Sequence, residues 1–365
     1  MKFVIQREAF VTLIGKIQGV VPSKPIIPIL SNVLIQAQGR NIIISATDLT
    51  VSVRAFAEGN VTSEGSVALP ARRLFQLIRE LTAPEVTVET DRSGVAIISA
   101  GSSHFRMNGL DEAEFPTFPD LKDGKTIDFL SENLSDMLAN TAFAAARDDS
   151  RQVLNGVYLE IKEGNATLVG TDGKRLAKLQ SKIDNLDEEK TGSIIPLKAV
   201  EEMIRVLDTD EKATLTLMSE KIALECGDIC LISKLLSGQF PDFERVIPSE
   251  EGMKRVSLHR EELLTLLKQV SLFTSDMNHS VKLTFDNGDL RLQATNSDIG
   301  EGKVNMPVDY HEEKLEIAFN PQYFIDILRH CKDETVDFGV TDSYNPGSVK
   351  DSSDATYVLM PMRLS

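Results

Sequence analysis

The chain of 365 residues has no tryptophan, three cysteines, five histidines and five tyrosines. Three cysteines, at 226, 230 and 331, are too few and too odd in number for a disulfide framework. Cys226 and Cys230 flank Gly227-Asp228 and read as half-buried strand residues on either side of a turn. No second Cys or His pair accompanies them, and the histidines show no ligand spacing, so no metal is expected. No apolar run approaches the ~18 residues of a membrane helix. Met1 to Ile5 lead directly into Gln6-Arg7-Glu8, with no apolar signal core and no cleavage site, so a cytoplasmic protein without membrane contact is expected. The P-loop, the dinucleotide fingerprint and the nucleophile elbow are all missing, and no cofactor is expected. Positive charge is scarce: 39 Lys and Arg stand against 55 Asp and Glu, a net charge of −16. Taken alone, that argues against nucleic acid.

What is present is repetition. Thr47-Asp48, Thr171-Asp172 and Thr295-Asn296 each follow a strand-like run, and each recurs 124 residues after the last. Each run is the second arm of a predicted hairpin, turning at Gly39-Arg40, Gly164-Asn165 and Asn287-Gly288. Leu77-Ile78-Arg79-Glu80-Leu81, Met203-Ile204-Arg205-Val206-Leu207 and Ile327-Leu328-Arg329-His330-Cys331 match one another. Pro70 and Pro196 precede the first two helices, and Asn320-Pro321 supplies an N-cap and N1 proline for the third. Opening helices are predicted at Arg7 to Gln18, Glu132 to Ala146 and Arg260 to Val270, from apolar spacing such as Phe10, Leu13, Ile14 and Ile17. The pattern predicts an α+β fold of three repeated domains, 1–123, 124–251 and 252–365, each with two helices on antiparallel sheets. A unit of about 120 residues can hold its own core. Asp48, Asp172 and Asp298 fall in separate repeats, so turn or capping roles are expected of them rather than a shared metal.

Charge is distributed unevenly. Six helix windows, 7–18, 72–81, 132–147, 198–207, 260–270 and 321–332, together carry +3, and the rest of the chain −19. Helices lining a ring of strands would present phosphate with the least acidic part of the protein, while the acidic exterior repels other DNA. Solvated helix faces would give the same count, and a protein-binding scaffold would have no reason to concentrate cations there. An enzyme would need convergent titratable groups, and none can be read.

The motifs Met1-Lys2-Phe3, Pro28-Ile29-Leu30-Ser31-Asn32, Gly170-Thr171-Asp172-Gly173-Lys174-Arg175-Leu176-Ala177, Ser233-Lys234-Leu235, Phe240-Pro241-Asp242-Phe243 and Tyr357 to Leu364, in this order, resemble the β sliding clamps of bacterial DNA polymerase III over the whole chain. The resemblance implies a head-to-tail homodimer forming a six-domain ring around duplex DNA, without sequence preference. It implies a non-catalytic processivity factor that tethers the polymerase III catalytic subunit and other polymerases and is opened by a clamp-loader ATPase. It also implies a partner-peptide pocket at Leu154, Thr171, Gly173, Lys174, Arg175, Leu176, Pro241, Val246, Asn320, Tyr323, Val358, Met360, Pro361, Met362 and Arg363. Leu, Val, Met and Pro would form an apolar slot, and methionine adapts to varied side chains. DNA-facing cations are implied at Lys24, Arg72, Arg79, Arg147, Arg151, Lys198 and Arg205. The dimer contact is implied at Arg73, Phe105 and Met107 on one side and Leu272 and Phe273 on the other. Lys174 stands where the family often has His, Ser365 extends past the usual terminal leucine, and Tyr344-Asn345-Pro346-Gly347 departs from the family pattern.

Overall fold

The computed structural model describes residues 1–91, 94–121, 124–183, 191–207, 212–275 and 279–363. The junction expected at Asp123-Gly124 falls partly outside them, and Leu364 and Ser365 fall wholly outside. The six expected helices are α1 (Arg7–Ile17), α2 (Ala71–Glu80), α3 (Ser131–Ala142), α4 (Leu197–Val206), α5 (Arg260–Ser271) and α6 (Pro321–His330). α3 ends before the expected Ala146, because residues 143–145 tighten into i→i+3 turns, with Ala144 N–H donating to Thr141 and Ala145 N–H to Ala142. Asn320 caps α6 as expected: its side-chain oxygen accepts the Gln322 N–H at 2.9 Å, with Pro321 at N1.

The described chain divides into two compact units, residues 1–136 with 198–235 and residues 137–197 with 236–365. The first holds a five-stranded sheet in the order Asn60–Ser63, Lys2–Gln6, Glu85–Thr90, Val95–Ala100, Ser103–Asn108. Its eight-stranded sheet runs Lys125–Leu130, Lys212–Leu217, Lys221–Cys226, Ile229–Lys234, Val51–Glu58, Asn41–Thr47, Asn32–Gln38, Gly65–Pro70. The second unit has an eight-stranded sheet, Thr191–Pro196, Gly156–Lys162, Asn165–Thr171, Arg175–Lys182, Ala355–Leu359, Gly347–Lys350, Thr335–Val340, Lys254–His259. A four-stranded sheet, Gly300–Pro307, Asp289–Asn296, Val281–Asp286, Leu315–Phe319, completes it.

All pairings are antiparallel, and each eight-stranded sheet joins strands of consecutive repeats: Cys230 registers with Arg54, and Ala177 with Tyr357. Strand alternation puts one face of each sheet under the helices. Phe10, Leu13, Ile14 and Ile17 of α1 are buried in the first unit, and Leu263, Leu267, Phe324 and Leu328 of α5 and α6 join Phe285, Phe319 and Phe338 in the second.

The recurring Thr-Asp/Asn step has one structural cause. Asp48 Oδ1 accepts the N–H groups of Thr50 and Val51, and Asp172 Oδ1 those of Lys174 and Arg175. Thr47 and Thr171 accept the next amides, of Leu49 and Gly173, at 3.0 Å each. In the third repeat Asn296 Oδ1 takes the Asp298 N–H at 2.9 Å. These Asx turns reverse the chain between paired strands, as expected for Asp48 and Asp172; in the third repeat Asn296, and not the expected Asp298, is the acceptor. The hairpin turns also form: Asn287 and Gly288 both have positive φ, while in the second repeat the positive-φ pair is Glu163-Gly164, one residue earlier than expected. Cys226 is buried and Cys230 half-buried, on strands either side of Gly227 (φ 52°).

Candidate peptide-binding pocket

In the second unit an apolar cavity of ≈ 140 Å³ is walled by Leu154, Thr171, Gly173, Arg175, Leu176, Pro241, Val246, Val358 and Met360, together with Arg151, Asp242 and Phe243. Leu176 and Val358 are paired across neighbouring strands, so their side chains stand on the same face. Leu154, Leu176, Val358, Phe240 and Phe243 form one small buried cluster beneath the floor. The final segment is stitched on by two backbone bonds, Met360 N–H to Lys174 O at 2.9 Å and Met362 N–H to Ala318 O at 2.7 Å. The first of them sets Met360 at the rim, 38% exposed, and Val246 stands there too at 39%.

Gly173 is required by its backbone: φ is +83°, and a Cβ there would press on the Arg151 guanidinium at 3.1 Å. Arg151 was expected among the DNA-facing cations; the structure places it in the cavity wall. Asp149 holds it there with two charge-assisted bonds of 3.0 Å, to Nε and Nη2. These bonds hold the Asp149 carboxyl down at about 2. A carboxylate lowered by folding stabilises above its unfolded value, and that stability is lost as pH falls through the folded value. The difference in denaturant midpoint between wild type and Asp149→Asn is therefore expected to hold constant above about pH 5 and to close between about pH 4 and about pH 2. A difference that persists unchanged at about pH 2 counts against this clasp.

Arg175 was expected to meet a peptide's polar groups. Its charge is already engaged: Nε meets Asp172 at 3.1 Å, Nη1 meets Asp326 at 2.7 Å, and the guanidinium stacks over Tyr323 at 4.7 Å and Phe143 at 5.5 Å. It acts as a strut between the 171–175 turn and α6, with its stem on the cavity. Tyr323 supports that strut, and the Asn320 side chain is spent on its cap. Neither of these two lines the cavity, nor do Lys174, Pro361, Met362 or Arg363; Lys174 contributes its carbonyl to Met360. Asp242 and Phe243 were missed as wall residues, although their motif was visible beside Pro241.

The other expected residues lie elsewhere. Lys24, Arg72, Arg79 and Arg147 are exposed, whereas Lys198 and Arg205 are engaged by carboxylates. Phe105 and Met107 lie on Ser103–Asn108, an edge strand of the five-stranded sheet, and Arg73 is exposed on α2. Leu272, just past α5, is 73% exposed, while Phe273 packs against Gly302 of the edge strand Gly300–Pro307, where a Cβ would come within 2.6 Å of its ring. Among the described residues no group of His, Cys, Asp and Glu could hold a metal ion, and no helix is long and apolar enough to cross a membrane.

Three family models match in order: the DNA polymerase III beta subunit N-terminal domain over residues 1–119, its central domain over 129–242 and its C-terminal domain over 244–363. A beta sliding clamp of Chlamydia muridarum is 49% identical over 365 residues, spanning 100% of this chain and 99% of that one. A beta sliding clamp of Pseudomonas aeruginosa is 32% identical, with both chains fully covered. Among solved structures, the DNA polymerase III beta subunit of Pseudomonas aeruginosa superposes with a TM-score of 0.95 at 30% identity, covering 100% of each chain. A Bartonella birtlesii sliding clamp bound to griselimycin also gives a TM-score of 0.95, at 31% identity and full coverage. On its whole length, its three repeats and its fold, the chain belongs to the DNA polymerase III beta subunit family, the bacterial sliding clamps.

Proposed function

We propose that two copies of this chain, joined head to tail, encircle duplex DNA in the cytoplasm and tether a DNA polymerase to it, without catalysing a reaction. The three domains are 1–123, 124–251 and 252–365. The observation that carries this reading is a matched pair of sheet edges. The sheet of the first repeat ends on the edge strand Ser103–Asn108, bearing Phe105 and Met107, and Arg73 is exposed on α2; the third-repeat sheet ends on Gly300–Pro307, against which Phe273 packs next to exposed Leu272. Unpaired edges are templates for another chain, and a contact between two different patches closes into a ring when the rotation allows. Exposed Lys24, Arg72, Arg79 and Arg147 would meet phosphates without reading sequence. The cavity walled by Leu176, Val246, Val358 and Met360 would take the apolar residues of a partner peptide, from the polymerase III catalytic subunit, other polymerases or the clamp loader.

Topology is the test. The protein, a clamp loader and ATP are mixed with nicked circular DNA and washed in high salt. Retention on circles that is lost when the DNA is cut is the expected result. Equal, salt-sensitive binding to circles and linear DNA overturns the ring and leaves an ordinary electrostatic binder.

A further inference from the structure

Lys198, Glu202 and Arg205 sit at i, i+4 and i+7 of α4 and so share one face. Lys198 Nζ donates to the Val20 carbonyl at 3.2 Å and pairs with Asp48. Arg205 Nη1 meets the two carboxylate oxygens of Glu202 at 2.9 and 2.8 Å, and the Glu202 side chain is only 5% exposed. Gly19 lies against this pair, where a Cβ would overlap both the Arg205 guanidinium and the Glu202 carboxylate. The same face of the second repeat is thus seated on two pieces of the first, the segment after α1 and the Thr47–Val51 turn. Burial pushes the Glu202 carboxyl up, while Arg205 and Lys198 draw it back, so both cations act on it. Lys24, Arg72 and Arg79 differ: among the described residues none forms an ion pair with them.

We propose that Asp48 and Glu202 are positioning residues that fix Lys198 and Arg205 at the joint between the first two repeats and cancel most of their charge toward DNA. The proposal rests on the reading of the helices as the DNA-facing lining. It divides the basic residues of that lining into two classes. Lys24, Arg72 and Arg79 are uncompensated and draw phosphate; Lys198 and Arg205 are held and neutralised. A sliding ring gains from such compensation, since each cation that neutralises a phosphate adds to the electrostatic grip that motion along the duplex must break. Topology supplies the retention that those contacts forgo.

Asp48→Asn and Glu202→Gln test it. Asparagine suits the turn, because the third repeat uses Asn296 at the matching position and its oxygen accepts the same kind of amide bond. Equilibrium binding to linear duplex is measured against salt for wild type, both variants, Lys198→Gln and Arg72→Gln. In each carboxylate variant the slope of log affinity against log salt is expected to steepen by about one, so that binding falls by a further factor of about four between about 50 and about 200 mM salt. Arg72→Gln is expected to flatten the slope by about one, and Lys198→Gln to leave it near the wild-type value. Glu225→Gln, which removes one exposed negative charge from the strand Lys221–Cys226 without freeing a paired cation among the described residues, controls for net charge and is expected to leave the slope unchanged. Sedimentation checks that every variant remains a dimer, a readout that a purely structural role of Asp48 or Glu202 would move. Wild-type slopes in both carboxylate variants, or a Lys198→Gln slope as flat as that of Arg72→Gln, overturn the proposal while leaving the clamp reading intact. A wild-type protein that fails the circular-DNA test removes both.

Discussion

Leu272→Asp is expected to turn the dimer into monomers without unfolding the chain. Leu272 is 73% exposed in the isolated chain, so its replacement removes no contact from the protomer core. In the ring it would be covered by the partner's edge strand. A carboxylate left there, desolvated and unpaired, costs about 3–5 kcal/mol, which weakens association by about 10² to 10³·⁵. Analytical ultracentrifugation across protein concentration gives the constant, and a thermal melt gives the fold. Monomers with an unchanged melt are expected, and retention on circular DNA is expected to disappear with the dimer. A Leu272→Asp protein that sediments as wild type would place the interface elsewhere.

Phe273 is the less clean position, although it is the more apolar of the two neighbours. Its ring rests on Gly302 and against the third-repeat core. Phe273→Asp would damage the protomer and the contact together. Phe105→Asp, on the opposite edge strand, supplies the reciprocal test. A heterologous contact needs both patches, so either variant alone breaks it, and mixing the two variants restores at most one of the two joints of a ring.

The repeat was legible because its signals are local. An Asx turn needs an Asp or Asn at one position, and helix periodicity needs apolar residues at fixed steps; both survive in a bare string of letters. Hence the six helices, α3 without its last expected turn, the Asn320 cap and the turns at Asp48 and Asp172 stand where the sequence put them, while in the third repeat Asn296 takes the role expected of Asp298. The sheets that join consecutive repeats were not legible. Ile229–Lys234 alternates in the same way whether its outer edge faces water or pairs with Val51–Glu58, so nothing in the pattern announces the eight-stranded sheet. Arg151 was hidden for a related reason. A cation in a polar loop reads the same whether it faces a phosphate or closes over Gly173, and only its separation from Asp149 in space decides. Arg175 and Lys198 follow suit, because their partners Asp326 and Asp48 lie some 150 residues away in sequence.

Burial also decides which pocket residues can carry an experiment, and the larger effect is expected from the two at the rim. Leu154, Leu176 and Val358 are each no more than 2% exposed and belong to the cluster that holds the pocket's floor. Truncating any of them would open a hole worth about 2–5 kcal/mol in a leucine's case, and a lost interaction could not be told from a lost fold. Val246 and Met360 line the same cavity but remain 39% and 38% exposed, so the free protein does not depend on them. The double variant Val246→Asp, Met360→Asp places two carboxylates where a peptide's apolar anchors would be desolvated. Anchors of this kind commonly carry about 2 kcal/mol or more each, so peptide affinity is expected to fall by at least about 10². Fluorescence anisotropy with a labelled peptide from the polymerase's own clamp-binding segment measures the loss. Analytical ultracentrifugation is expected to show the dimer as in wild type, because neither residue lies on the sheet edges that carry Phe105 and Leu272. Full peptide affinity in a folded double variant would mean that the cavity beside Gly173 is not where partners dock, and that Arg151 and Asp149 clasp a wall with no guest.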